Sequence, residues 1–129
     1  MGKVNFEITT TALKGTLPRV PFENIKRKIL GDSYDLSLVL IGDTLGKRLN
    51  KEHKNKNAPT NVLSFPLAKS EGEIFLNVRR AQRDARKFGH TPHEHVAFLF
   101  IHGCLHLKGF AHSRKMEEEE ELLLKKLLK

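Results

Sequence analysis

A chain of 129 residues with a formal net charge of +8 and a single cysteine is one domain, residues 1–129, large enough for its own core and unable to form an internal disulfide. Cys104 fits a reducing compartment and reads as buried apolar filler. No apolar stretch approaches the roughly 18 residues of a membrane span, and Met1 to Glu7 contain no signal-peptide apolar region, so the protein is expected to be cytoplasmic.

Weak alternation from Val4 to Ile8 predicts a first strand. Pro18 to Leu30 reads as a helix with Val20, Ile25, Ile29 and Leu30 on its apolar side and Gly31-Asp32 as its stop. The aliphatic run Leu36 to Ile41 is a second strand, after which Asp43 caps a helix reaching about His53, with Leu45 and Leu49 at helical spacing. Lys54 to Asn61 must be loop. Val62 to Leu67 predicts a third strand ended by Pro66, and Ile74 to Val78 a fourth; the Ser70-Glu71-Gly72 turn between them suggests a hairpin. Asn77 or Val78 then opens an arginine-bearing helix that stops at Gly89. Thr91-Pro92-His93-Glu94 starts the next helix, with Thr91 as N-cap, Pro92 at the first position and Glu94 completing a capping box. That helix ends at Gly109, and a last one begins near Arg114, acidic early and basic late.

The chemistry concentrates where the penultimate helix ends. His102 and His106 are four residues apart and therefore share a helix face. Gly109 can adopt the positive φ that turns the chain back, which allows His112 to meet the first two around one ion. Three neutral nitrogen ligands with a fourth position open to water is the layout of a catalytic zinc site. The apolar run Val96 to Ile101 makes this helix buried nearly all round, where titratable side chains need partners. His93 and His95, about two turns earlier, read as surface residues. The spacing is that of metzincin proteases, but Gly103 stands where those enzymes carry a glutamate base. Peptide hydrolysis needs such a base, whereas cleavage of an RNA phosphodiester can use the substrate's own 2′-hydroxyl.

From Ser113 onward five cations balance Glu117 to Glu121, so the positive excess lies earlier. It gathers in two clusters, Lys47, Arg48, Lys51, Lys54 and Lys56, then Arg79, Arg80, Arg83, Arg86 and Lys87. Beside a candidate hydrolytic metal these point to a polyanionic substrate.

Two segments carry a family resemblance. His102-Gly-Cys-Leu-His106-Leu-Lys-Gly109-Phe-Ala-His112 and Pro59-Thr-Asn-Val-Leu-Ser-Phe-Pro66 both resemble motifs of the YbeY family of rRNA-maturation endoribonucleases, in the same order and separation. The resemblance implies a single α+β domain, a small mixed four-stranded sheet with about five helices around it. It also implies one zinc ion held by His102, His106 and His112. The implied activity is single-strand-directed cleavage of RNA, in maturation of the 16S rRNA 3′ end and in ribosome quality control, with the small ribosomal subunit as partner. Lys54 aligns with a family arginine that acts on the phosphate, and Ser64 offers a further polar contact; taken alone they read as an exposed lysine and an ordinary strand serine. Ala111 replaces a family aspartate, which implies loss of a carboxylate that could orient a ligand. Two other readings stay open: a zinc peptidase-like hydrolase with its base supplied elsewhere, and a non-catalytic rRNA-binding ribosome-assembly factor.

Overall fold

Leu36, Leu38 and Leu40 are fully buried and alternate with half-buried Ser37 and Val39, so their strand forms the spine of the fold. The computed structural model describes residues 5–10, 19–53 and 61–128. Over these run β1 (Phe6–Thr10), α1 (Phe22–Leu30), β2 (Asp35–Ile41), α2 (Asp43–His53), β3 (Val62–Ala68) and β4 (Glu71–Asn77). They are followed by α3 (Val78–Asp84), a 3-10 turn at Ala85–Phe88, α4 (Pro92–Lys108) and α5 (Arg114–Leu127). The strands form one sheet in the order β1-β2-β4-β3. β2 pairs in parallel with both β1 and β4, while β3 and β4 make the expected antiparallel hairpin. The expectation of an α+β fold with a mixed sheet therefore holds.

Several boundaries move, two of them because of proline; β1 runs to Thr10 and not only to Ile8, because Thr9 and Thr10 still pair with Val39 and Leu40 of β2. α1 starts at Phe22, with Pro21 as its N-cap, because the residue before a proline is kept out of helical backbone; residues 11–18 lie outside the described residues. β3 does not stop at Pro66 but continues to Ala68, with a register slip between Pro66 and Ala68. As an edge strand it can carry a residue without an N–H, which a central strand cannot. β4 begins at Glu71, three residues before the aliphatic run suggests, because Glu71 to Glu73 pair with both β2 and β3.

α4 packs against α1, α3, α5, β3 and β4, which makes it the central helix of the molecule. Val96, Ala97, Phe100, Ile101, Cys104 and Leu105 are buried along it. Phe100 sits edge-on to Phe22 at 5.1 Å between ring centres and 6.1 Å from Phe6, tying α4 to α1 and β1. Emptying such a site costs about 3–5 kcal/mol. Cys104 is fully buried as expected, and burial pushes its thiol far above the usual range, which makes it inert. The helix that carries the histidines is thus fixed from several sides.

Candidate metal centre

Both ends of α4 are made by local chemistry. At the start, the Glu94 N–H donates to Thr91 Oγ1 at 3.2 Å and the Thr91 N–H donates to Glu94 Oε1 at 2.8 Å, with Pro92 at the first helical position. At the end, Gly109 adopts φ +116°, which an L side chain resists. Its N–H donates to the His106 carbonyl and the Phe110 N–H to the Leu105 carbonyl, both at 3.0 Å. The chain therefore reverses over the last turn, bringing Phe110 and His112 back toward the helix face that bears His102 and His106.

Each ring on α4 is oriented through its δ nitrogen. His106 Nδ1–H donates to the Phe110 carbonyl at 3.0 Å. His102 Nδ1–H donates to the carboxylate of Glu120, a buried residue of α5. These bonds leave Nε2 of both rings as acceptors, and the two ε nitrogens face each other at 3.1 Å. The ring centre of His112 lies 4.4 Å from that of His106 and 5.2 Å from that of His102. One nitrogen from each of the three lies within 4.8 Å of the others. Ligands at about 2.05 Å in tetrahedral array stand about 3.3 Å apart, so this donor set fits a zinc-sized ion after a small closing movement. Burial, then the neighbouring His102, holds His106 below the usual imidazole range, which favours the neutral, ligating form.

α5 completes the arrangement. Ser113 caps it, accepting from the Met116 N–H at 3.2 Å, one residue after His112. Met116, Glu120 and Leu127 are the buried residues of this helix, so Glu120 lies on its inward stripe despite the acidic run around it. His102 thus has a carboxylate partner on another element, 18 residues away in sequence. The stripe of Met116, Glu120 and Leu127 is visible in the sequence, but it reads as an apolar face interrupted by charge.

Gly103 has a steric reason. A Cβ there would lie 2.9 Å from Ser64 Oγ and 3.1 Å from Ile74 Cδ1, so α4 meets the sheet by backbone at this point. A glutamate in that position would be driven into β3 and β4. Ser64 Oγ–H donates to the Gly103 carbonyl at 3.2 Å, which places it against α4 beside His102 and commits its proton to the backbone. Lys54 lies outside the described residues. His93 is exposed as expected, but His95 is not a surface residue: it is 0% exposed, packed between Phe88 and Phe98 with Nδ1 3.0 Å from Nδ1 of His90. It turns inward because α4 is covered by α3 and the 3-10 turn at this end.

The family model described as "Endoribonuclease YbeY" matches residues 4–128. Proteins named Endoribonuclease YbeY are 35% identical over 126 residues in Pelotomaculum thermopropionicum, covering 89% of this chain and 82% of that one. In Polynucleobacter asymbioticus the identity is 31% over 137 residues, with 96% and 88% covered. The solution structure of TM1509 from Thermotoga maritima superposes with a TM-score of 0.67 at 25% identity, covering 95% of this chain and 88% of that one. The match spans both sequence motifs, the sheet and the histidine-bearing turn, and the chain belongs to the YbeY endoribonuclease family.

Proposed function

We propose that this protein is a metal-dependent endoribonuclease of the cytoplasm. It cuts single-stranded RNA in maturation of small-subunit ribosomal RNA, at the 16S rRNA 3′ end, and in ribosome quality control. The observation that carries this reading is the convergence of three imidazole nitrogens in a chain of a family named for endoribonuclease activity. His102, His106 and His112 hold one zinc ion. When bound, such an ion acts as a Lewis acid toward a water or phosphate oxygen. Glu120 and the Phe110 carbonyl keep the two α4 rings in the ligating tautomer. Lys54 supplies a cation to the phosphate, as a point charge rather than a two-pronged grip. Ser64 holds the Gly103 backbone and keeps its oxygen lone pairs for a polar contact with substrate. Among the described residues no helix is long and apolar enough to cross a membrane.

The close approach at Gly103 disfavours a peptidase, since the usual place for its base is filled by β3 and β4. A non-catalytic rRNA binder remains the second reading because of the arginines on α3. Cleavage assays on single-stranded and duplex RNA, with and without chelator, decide between them. His106→Ala is expected to abolish cleavage, and Lys54→Ala to slow it about a hundredfold. Equal cleavage by Lys54→Ala would remove the lysine role, and an inert but RNA-binding wild-type protein would favour the binder.

A further inference from the structure

We propose that Phe88, His90 and Arg86 form a second RNA contact, which holds a flanking stretch of single-stranded substrate at the opposite end of α4 from the histidine trio. This rests on the ribonuclease reading and adds a binding surface about 10–16 Å along α4 from the histidine trio, since His95, which backs Phe88, stands seven residues before His102 and eleven before His106. Five cations and one acid lie between Val78 and Phe88. Asp84 takes Arg80 at 3.2 Å and Lys87 at 3.7 Å, and Asp43 takes Arg83 at 2.8 Å. Arg86 is exposed and makes no ion pair among the described residues. It borders an open cleft of about 530 Å³, lined also by Gln82, Arg83, Gly89, His90 and Pro92. Glu94, two residues past the lining Pro92, accepts from the Thr91 N–H in the capping box.

Beside these cations stands a rigid aromatic platform. Phe88 is 56% exposed, yet its ring is backed by His95 at 4.6 Å and Phe98 at 6.3 Å and lies nearly parallel to His90, at 21°. His90, which lines the cleft, is itself held by its bond to the buried His95. A cation for phosphate next to an open, immobilised ring is the pairing that takes an unstacked base and its backbone, because every base has a π face. Duplex RNA offers no free base to Phe88, and an acidic peptide would use the cations while leaving the ring unpaired. At about 3.4 Å per stacked nucleotide the two contacts are about three to five nucleotides apart.

The test measures affinity of the full chain for oligouridylate of about twenty nucleotides, in chelator so that RNA is bound and not cut. Phe88→Ala is expected to weaken binding about tenfold and Phe88→Trp to retain it. Arg86→Ala is expected to weaken it severalfold and to reduce the slope of log affinity against log salt by about 0.7. Lys126→Gln, on the exposed side of α5, serves as the control and stays within about twofold of wild type. Should Phe88→Ala unfold, Arg86→Ala and Phe88→Trp still decide the matter. Wild-type affinity in both Phe88→Ala and Arg86→Ala overturns the proposal, as does equal competition by polyglutamate, which would assign the patch to an acidic protein. If the wild-type chain cuts no RNA, the nuclease reading fails by itself while this binding comparison still stands.

Discussion

Glu120 shows how a single side chain can matter beyond its local sequence. It is buried at 4% exposure within a run of five glutamates, and its carboxylate fixes the tautomer and angle of His102. Glu120→Gln keeps the shape but replaces a strong acceptor, so zinc affinity is expected to fall about 10–100-fold with little change in fold. Competition against a chromogenic chelator reads this directly; an affinity equal to wild type would leave Glu120 with a packing role only. The histidine trio was legible because its geometry is local: a four-residue helical step, a glycine, then a third ring. Glu120 was not, because its partner is 18 residues away and its neighbours on α5 look like a solvated acidic face. His95 failed for the converse reason. The first turn of a helix is usually wet, and only the packing of α3 and the 3-10 turn closes over it.

Among the elements, the turn after α4 does more than end a helix. It carries the Phe110 carbonyl to His106 and delivers His112, so its shape and the histidine trio are one object. Gly109→Ala forces a side chain onto φ +116° and is expected to cost about 1–3 kcal/mol while also lowering metal affinity. Thr91→Ala, at the other end of the same helix, loses a cap worth about 1 kcal/mol and is expected to leave metal affinity as it was. Urea unfolding and metal titration on the two variants check the contrast; equal affinity in both would detach the turn from the site. The capping box and the Gly109 stop were readable because caps are written in three or four adjacent residues. The continuation of β3 through Pro66 was not, since the sequence alone does not say which strand lies at the edge.

The molecule as a whole has its two titratable histidine clusters at opposite ends of one buried helix. The structural one sets a pH limit on stability. Burial, and then the neighbouring His90, lowers His95 from 6.5 to about 4, partly opposed by Asp84. The unfolded chain therefore binds a proton that the folded one refuses between those values, and stability rises with pH across this window. From pH 7 to pH 5 this residue is expected to remove about 2 kcal/mol. His106, also lowered, acts in the same direction in the absence of metal. Urea titrations at the two pH values measure the sum, and a flatter profile in His95→Phe assigns its share; an unchanged profile would contradict the buried, neutral imidazole. The α+β class, the four strands and the five helices were accessible from periodicity and punctuation together with the family resemblance. The sheet order, with β4 inserted between β2 and β3, depends on long-range pairing that no window of sequence contains.

Elemental analysis of the purified full-length chain, beside His102→Ala, His106→Ala and His112→Ala variants, tests the three-imidazole centre most directly. One zinc per folded wild-type chain, lost from each variant while its fold persists, is the predicted result. Metal that stays at full stoichiometry without the histidines, or a folded wild-type protein that takes up none at neutral pH, would contradict it.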